Sequence, residues 1–436
     1  MSKNIHFMGI GGSGASAAAA IAKAYGFTVT GCDTNSSDEF SKQLEGIEIQ
    51  KGHSKTHLQN VDMLIISPAV SSLNSDHAEL EEARRKKIKI LTWQEFLGRK
   101  LLKNKFIIAI CGTHGKSTTT AMIGQILEDA GFDPTVVLGA IVKKWGRNYR
   151  VGLSKYAVIE ADEFNENFMA LDPTISVVTA IEFDHPEYFK DFESYKRSFQ
   201  NFLGKTKQVI IANLSDNGLS ETLEDERALF GSFFKPIIDY SKALIDFTLG
   251  IPGSFNRSNA SAAYHVAVTL GINPKIARES LQNFREIGRR LEGLGEVNGA
   301  KIYSDFSHHP TEIKLRIEAV REKFPDKKIM LIYQPHMFSR TKALFENFVK
   351  VFRDLQVDKV IITDIYPSRE VDTGLVNSRQ LVEAIKQNNV QYISKQQLES
   401  QLITHPSFGG NQVTDQLVIF MGAGDIDNLA REFANG

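Results

Sequence analysis

The sequence predicts an α/β protein with three consecutive domains, because short apolar strands alternate with helical segments in three successive stretches. The first stretch begins with "NIHFMGI", "SGASAAAAIAKAYG" and "FTVTGCD", the second with "NKFIIAIC", and the third with "AKIYSDF". Such alternation is typical of parallel sheets with crossover helices. The length of 436 residues suits about three domains of roughly 150 residues each. We place the domains at residues 1–104, 105–288 and 289–436.

The composition argues against several classes of protein. The chain is 42% hydrophobic and 24% charged with a net charge of −1. It therefore lacks the excess of basic residues that would indicate a nucleic-acid partner. Two cysteines, Cys32 and Cys111, are too few for a disulfide framework or a four-cysteine metal site, which favours a reducing cytoplasm. The start "MSKNIHFMGI" predicts a strand and not a signal peptide. No apolar stretch is long enough to span a bilayer, so we expect no membrane insertion.

A first glycine-rich loop follows the first predicted strand. Gly9, Gly11 and Gly14 match G-x-G-x-x-G between a strand and a helix, and Asp33 ends the next strand. Glycines let the backbone approach a diphosphate, which the N-terminus of the helix then binds. The pattern predicts a Rossmann-like domain that holds a nucleotide diphosphate, either a redox dinucleotide or a sugar nucleotide. A tight turn without a ligand is the alternative.

A second glycine-rich loop, "ICGTHGKSTTT", opens the second domain. Gly115-Lys116-Ser117 ends it like a triphosphate-binding loop, but the upstream glycine is Gly112, so the loop is shorter than the standard pattern. Lys116 would neutralise charge on the β- and γ-phosphates, and the Ser117 hydroxyl would contact the bridging magnesium. The strand before the loop and the helix after it favour a central domain of the P-loop ATPase type over a structural turn.

Acidic residues end the two following predicted strands. They are Glu160, Asp162 and Glu163 after "YAVI", and Glu182 and Asp184, with His185, after "TISVVTAI". The carboxyl ends of parallel strands form the edge at which open sheets bind ligands. Glu160 and His185 would offer an oxygen and a nitrogen to a metal beside the loop, although magnesium prefers oxygen ligands. Each carboxylate taken alone is better explained as a solvated charge at the end of a strand.

Four short segments of the chain together resemble the Mur ligase family of peptidoglycan synthesis. They are "GTHGKST", "EADE", "EFDHPEYF" and "SDFSHHPTE", and the resemblance covers essentially the whole chain. "GIGGSGAS", "GRRLEGLGEVNG" and "QPHMFSRT" are most similar to the members that join L-alanine to UDP-N-acetylmuramate. The resemblance implies that the first loop holds the UDP-sugar and the second holds ATP. ATP would activate the lactyl carboxylate of the sugar as an acyl phosphate for amide formation.

The resemblance also implies a role for each residue that matches the family's motifs. ATP would be bound by Gly112, Thr113, His114, Gly115, Lys116, Ser117, Thr118, Asn256, Arg290 and Asp305. The UDP-sugar would be bound by Gly11, Gly12, Ser13, Gly14, Asp33 and Ser67, and the amino acid by His336 and Arg340. The metal ligands would be Ser117, Glu160 and His185, with Mg²⁺ as the ion and Mn²⁺ able to substitute. The residues implied in catalysis are Lys116, Glu160, His185, Arg290 and His309.

The third-domain assignments each have a structural alternative. Arg290 could belong to a solvated basic turn, and His336 could be a strand-end histidine with only structural hydrogen bonds. One of His308 and His309 is expected to cap the helix that begins at Pro310. The sequence leaves these alternatives open.

The amine substrate is also open. The alanine-adding members usually carry tyrosine where this chain has Phe306, whereas phenylalanine is found in the related recycling ligase, which attaches the tripeptide L-alanyl-γ-D-glutamyl-meso-diaminopimelate. Two further classes remain as alternatives, a nucleotide-dependent oxidoreductase built on the first loop and a non-catalytic nucleotide switch. The oxidoreductase leaves the second loop and its carboxylates unexplained, whereas the nucleotide switch predicts ATP binding without amide formation.

Overall fold

The structure is a computed structural model that describes residues 3–34, 39–68, 70, 77–230, 235–285, 287–404 and 416–435. The chain forms two compact units. The first consists of Met1–Glu182, Lys196–Thr248 and Ser258–Phe284, and the second of Phe183–Tyr195, Leu249–Arg257 and Arg285–Gly436. The described ranges contain no helix with the length and apolar character needed to cross a membrane.

The first unit contains two sheets, of which the first is all parallel. Its strands are β1 (Asn4–Met8), β2 (Thr28–Asp33), β3 (Glu48–Lys51), β4 (Met63–Ile66) and β5 (Lys89–Thr92), in the order β3-β2-β1-β4-β5. Helix α1 (Ser13–Ala24) connects β1 to β2, α2 (Ala78–Arg85) connects β4 to β5, and α3 (Trp93–Phe96) follows β5. The strand order reverses at β1, which is where sheets of this type bind ligands. The first glycine loop therefore lies at the switch point.

The second sheet has seven strands. They are β6 (Phe106–Cys111), β7 (Thr135–Val142), β8 (Arg147–Arg150), β9 (Tyr156–Glu160), β10 (Ile175–Val178), β11 (Val209–Ala212) and β12 (Ile237–Asp239), in the order β12-β11-β10-β6-β9-β7-β8. The helices are α4 (Lys116–Asp129), α5 (Phe192–Gly204), α6 (Asn217–Phe230), α7 (Ser254–Thr269) and α8 (Pro274–Gln282). All pairings are parallel except that of β8 with β7. The prediction that a strand extends to Glu182 was wrong, because β10 ends at Val178.

The second unit contains a six-stranded sheet. Its strands are β13 (Glu292–Val297), β14 (Ala300–Asp305), β15 (Lys328–Tyr333), β16 (Lys359–Ile362), β17 (Val390–Tyr392) and β18 (Gln416–Met421), in the order β13-β14-β18-β15-β16-β17. The helices are α9 (Pro310–Lys323), α10 (Phe338–Ala343), α11 (Phe345–Asp354), α12 (Ser378–Ile385), α13 (Lys395–Thr404) and α14 (Ile426–Asn435). Only β13 is antiparallel to its neighbour. The alternating apolar residues of the central strands fill two buried clusters.

Candidate active site

The first glycine loop is held by the end of β2. Gly9 has a φ of +77°, a conformation that glycine adopts at little cost, and its N–H donates to the Cys32 carbonyl at 2.9 Å. The Gly11 N–H donates to Asp33 Oδ2 at 2.8 Å. Asp33, predicted to contact the sugar nucleotide, thus also fixes the loop. Gly12 precedes α1 without a side chain that could cap it, which suits binding of a diphosphate by the first-turn N–H groups.

The other three residues predicted to bind the sugar nucleotide, Ser13, Gly14 and Ser67, lie in or beside this loop. A Cβ on Gly9 would come within 2.9 Å of Ser67 Cβ, so Ser67 at the end of β4 is adjacent to the loop. A Cβ on Gly14 would come within 2.2 Å of the Trp93 ring, so only glycine fits there. The carbonyl of Ser13 accepts a hydrogen bond from Asn148 Nδ2 at 2.7 Å. Asn148, on β8, was not among the predicted residues because β8 is an edge strand with no motif.

The second glycine loop depends on two left-handed glycines. Gly112 has a φ of +124° and Gly115 a φ of +79°. A Cβ on Gly112 would lie 2.8 Å from the Ala180 carbonyl oxygen, and a Cβ on Gly115 would lie 2.4 Å from Asn259 Oδ1. The Thr113 hydroxyl donates to the Glu182 carbonyl at 2.8 Å. The short loop is therefore closely packed as well as conformationally restricted.

We expect Gly115→Ala to reduce ATP turnover by about 100-fold, because the new methyl group requires both a strained φ and displacement of Asn259. A fall of this size corresponds to roughly 2.7 kcal/mol of lost stabilisation. Phosphate release from ATP measures the effect. Gly131→Ala is the matched control, because Gly131 also has a positive φ but no atom near its Cβ position. Equal losses in both variants would contradict a special role for Gly115.

Lys116 is held inside the loop by a buried carboxylate. Its Nζ lies 2.9 Å from Glu163 Oε1 and donates to the carbonyls of Gly112 at 2.6 Å and Thr113 at 3.2 Å. Burial would lower the pKa of Lys116, but the negative charges of Glu163 and Asp162 outweigh burial and raise that pKa. The ammonium is therefore charged and already directed at the loop. Sequence reasoning noted Glu163 in the acidic cluster but gave it no role.

The loop also brings Ser117 and Glu160 together. The Ser117 hydroxyl donates to Glu160 Oε1 at 3.0 Å, and the Gly139 N–H donates to Glu160 Oε2 at 2.7 Å. Hydroxyl and carboxylate oxygens are ligands that Mg²⁺ prefers. His114, another predicted ATP contact, pairs through Nε2 with Glu182 Oε2 at 2.9 Å.

In the second unit, Arg340 is the centre of a buried polar cluster. The residue is 2% exposed. Its Nε donates to Asp184 Oδ1 at 2.8 Å, its Nη1 lies 3.0 Å from His336 Nδ1, and its Nη2 lies 3.3 Å from His185 Nδ1. The structure thus places three predicted residues, His185, His336 and Arg340, beside each other. Asp184, which the sequence placed only at a strand end, is the principal partner of Arg340.

The charges of this cluster follow from its burial. Burial alone would raise the pKa of Asp184, but the Arg340 guanidinium holds it well below its usual range. Burial lowers the pKa of His336 to about 2, so its ring is neutral and accepts from Arg340. Burial would raise the pKa of Glu187, but the hydrogen bond to His185 together with the positive charges of His185 and Arg340 outweighs burial and lowers that pKa to about 2. At neutral pH the cluster therefore holds two carboxylates, with Asp184 paired to Arg340 and Glu187 paired to Arg369.

Backbone strain accompanies this cluster. His185 has a φ of +57° and Met337 a φ of +67°, although neither is glycine. A non-glycine residue in the left-handed region costs on the order of 1 kcal/mol and is concentrated at functional sites. Met337 immediately precedes α10, which carries Arg340. The strain is consistent with a conformation selected to place His336 and Arg340.

The structure gives the adjacent residues His308 and His309 different contacts. His309 is the N-cap of α9, since its Nδ1 accepts from the Thr311 N–H at 3.3 Å. His308 lies 3.1 Å through Nδ1 from the Phe306 carbonyl, and burial lowers its pKa to about 4. The capping histidine is the one predicted to act in catalysis. The cap involves Nδ1 and does not test the catalytic role, so that role of His309 stays a prediction.

Arg289 and Arg290 are not a solvated turn. Their guanidinium carbons lie 4.7 and 5.3 Å from the centre of the Phe306 ring, and Arg289 Nη2 donates to the Gly422 and Gly424 carbonyls at 3.0 Å. Arg290 Nη1 lies 3.7 Å from Glu312 Oε1. The Phe306 ring thus positions both cations through cation–π contacts.

Asp305 and Asn256, both predicted ATP contacts, are buried and hydrogen-bonded within the second unit. Asp305 Oδ2 accepts from the Leu291 N–H at 2.7 Å and lies 2.8 Å from Arg316 Nε, while Oδ1 accepts from the Ser307 N–H at 2.9 Å. Asn256 Nδ2 donates to the Pro252 carbonyl at 2.6 Å. Asp305 therefore has a structural role, and contact with the ATP ribose stays a prediction for it.

Comparisons with known proteins agree with this arrangement along the whole chain. Residues 4–105 match the Mur ligase family, catalytic domain; residues 110–267 match the Mur ligase middle domain; residues 289–424 match the Mur ligase, glutamate ligase domain. The UDP-N-acetylmuramate–L-alanine ligase of Aquifex aeolicus is 35% identical, covering 99% of this chain and 97% of that protein. That of Caldicellulosiruptor saccharolyticus is 36% identical, covering 96% of each.

Solved structures give the same result. UDP-N-acetylmuramate-alanine ligase MurC from Thermotoga maritima has a TM-score of 0.79 at 25% identity, covering 99% of this chain and 98% of that one. A murein peptide ligase from Psychrobacter arcticus has a TM-score of 0.71 at 25% identity, covering 100% and 98%. These matches confirm the predicted fold class of three α/β domains, Rossmann-like, P-loop ATPase-type and Rossmann-like. The chain belongs to the Mur ligase family.

Proposed function

We propose that this chain is an ATP-dependent ligase that joins L-alanine to the lactyl carboxylate of UDP-N-acetylmuramate in peptidoglycan synthesis. The observation that carries the proposal is the second glycine loop, in which a charged Lys116 and the Ser117–Glu160 pair are assembled. The relatives that act on this pair of substrates are about 35% identical over the full chain. The oxidoreductase alternative does not account for this loop.

The chemistry requires activation of a carboxylate. A carboxylate is a poor acyl donor at neutral pH, because its leaving group would be oxide. The γ-phosphoryl group of ATP is transferred to a lactyl oxygen, which forms an acyl phosphate and ADP. The amine of L-alanine then attacks the acyl carbon, and inorganic phosphate leaves as the amide forms. The tetrahedral intermediate carries negative charge, which nearby cations stabilise.

We assign the residues of the first unit to the two nucleotides. Residues 1–104 would bind the UDP-sugar through the loop at Gly11–Gly14, with Asp33 and Ser67. Residues 105–288 would bind ATP, with Lys116 on the β- and γ-phosphates and Thr118 in the first turn of α4. Ser117 and Glu160 would hold Mg²⁺, which supplies charge neutralisation on the phosphates when bound. His185 remains the weaker predicted ligand, since Mg²⁺ prefers oxygen.

Residues 289–436 would provide the amino acid site. Arg340 and His336 are adjacent at 3.0 Å, and a guanidinium fork pairs well with a carboxylate. Arg290 would contribute positive charge toward the phosphates. We place the reaction in the cytoplasm, where ATP and UDP-sugars are available.

The proposal is tested by phosphate release from ATP with UDP-N-acetylmuramate and magnesium, comparing L-alanine, L-serine, glycine and the tripeptide. Release that depends on L-alanine, with the product mass confirmed, is the expected result. Release only with the tripeptide would assign the chain to peptidoglycan recycling. NAD(H) binding without ATP hydrolysis would overturn the ligase assignment.

Phe306→Tyr tests whether the residue at position 306 selects the amine substrate, L-alanine or the tripeptide. We expect the amine preference of this variant to be unchanged and its turnover to stay within about threefold, because tyrosine keeps the ring that both arginines contact. The same amine panel measures the effect. Phe306→Leu, which removes the ring, should lower turnover. A changed order of amines in Phe306→Tyr would show that this position selects the amine.

A further inference from the structure

Four metal-binding side chains converge beside the first glycine loop, and the ligase reaction uses none of them. They are His6 on β1, Cys32 on β2, His57 in the turn Lys55–Leu58, and Glu79 in α2. One ligand atom from each lies within 4.8 Å of all the others. His6, Cys32 and Glu79 are fully buried, and the His57 side chain is 11% exposed. The cluster is therefore shielded from water.

The spacing of the donor atoms suits a small tetrahedral ion. Zinc bonds of about 2.0 Å to nitrogen and about 2.3 Å to sulfur place tetrahedral ligands roughly 3.3 to 3.7 Å apart. His6 Nε2 lies 3.3 Å from Cys32 Sγ, and the two Glu79 oxygens each lie 3.5 Å from that sulfur. His57 Nδ1 lies 2.6 Å from Glu79 Oε1, which is a hydrogen bond whose proton an ion would replace.

Surrounding groups orient the donors. His6 Nδ1 lies 2.8 Å from Thr30 Oγ1. When Nδ1 carries the proton of that hydrogen bond, Nε2 is unprotonated and its lone pair faces the sulfur. The Ser54 N–H donates to Glu79 Oε1 at 2.9 Å. Such hydrogen bonds to the ligands are characteristic of metal sites.

The charge of Glu79 also favours a cation at this position. Its side-chain partners among the described residues are Cys32, His53, His57 and the Ser54 N–H, and they include no lysine or arginine. A buried carboxylate is costly when its only partners that can carry a positive charge are histidines, which are charged only when protonated. A divalent ion would offset that cost and would stabilise the Cys32 thiolate.

We propose that His6, Cys32, His57 and Glu79 form a structural Zn²⁺ site. The mixed nitrogen, sulfur and oxygen donors match the preferences of zinc. The ion links β1, β2, the turn Lys55–Leu58 and α2. Cys32 immediately precedes Asp33, which holds the Gly11 N–H, so the site stabilises the first glycine loop. His53 Nδ1, 3.2 Å from the same sulfur, lies just outside the four ligands.

The test uses the full chain and measures bound metal directly. Protein expressed with zinc and then passed through a desalting column should retain one Zn²⁺ per chain by elemental analysis. Metal-free protein titrated with Co²⁺ should develop the visible bands of tetrahedral cobalt together with a thiolate-to-cobalt charge-transfer band. Neither readout depends on ligase activity, so failure here would leave the proposed function intact.

Two variants with matched controls locate the site. Cys32→Ser should lose the charge-transfer band, whereas Cys111→Ser, which removes the other buried cysteine, should retain it. His57→Ala should weaken zinc binding by about 100-fold or more, and its partial exposure favours a folded variant. His265→Ala in α7 is its control. The proposal is overturned by absence of tightly bound zinc in the folded protein, or by a charge-transfer band that persists in Cys32→Ser.

Discussion

Lys116→Ala is expected to abolish acyl phosphate formation, with phosphate release from ATP falling by about 10³-fold. The ammonium is charged and is directed at the loop by two of the loop's own carbonyls, so its removal takes away the only lysine in the segment GTHGKS. Binding of UDP-N-acetylmuramate, measured by calorimetry, should be retained, because the sugar nucleotide binds at the first loop. Normal turnover in this variant would remove Lys116 from the reaction.

Loss of stability must be separated from loss of chemistry in this variant. Lys116→Ala removes one member of the buried ion pair that Lys116 forms with Glu163, and such a loss costs about 3–5 kcal/mol. A second variant, Lys116→Ala with Glu163→Gln, also removes the carboxylate charge and should recover most of the lost stability while turnover stays low. Lys144→Ala, on an exposed lysine paired with Glu128 and Asp129, controls for the general effect of removing a lysine.

Arg340→Ala is expected to raise the KM for the amine by about 10- to 100-fold, because a charge-assisted hydrogen bond to the substrate carboxylate is lost. The KM for ATP should change little. The same substitution leaves Asp184 buried without its cation, so a loss of about 3–5 kcal/mol in the free energy of unfolding should accompany it.

Two further variants separate these effects. Arg340→Lys keeps the positive charge but lacks the planar fork, so it should retain most of the stability and still raise the KM for the amine. Arg340→Ala with Asp184→Asn should recover stability and leave that KM high. Arg353→Ala is the control, since Arg353 donates to carbonyls of α12. An unchanged amine KM in a folded Arg340→Lys variant would restrict Arg340 to a structural role.

Local patterns predicted the parallel cores because each central strand is a run of buried apolar residues with a turn or helix signal after it. The edge strands β8 and β13 were missed, since each is only partly buried and its sequence, RNYR or EGLGEV, contains no run of apolar residues. The end of β10 was placed four residues too far along the chain, because the apolar character of "TAI" continues after the strand pairing has stopped. Hydrophobicity reports burial and does not report hydrogen-bond pairing.

The sequence by itself determined the three α/β domains, the two glycine loops and the family, because each depends on residues that are close together in the chain. Only the tertiary structure decided which carboxylate neutralises Lys116, that Asp184 pairs with Arg340, and that His309 rather than His308 caps α9. The cluster of His6, Cys32, His57 and Glu79 carries no recognisable spacing, since its four ligands come from four different elements. Such contacts depend on the sheet order, which brings distant segments to one edge, and no local pattern encodes that order.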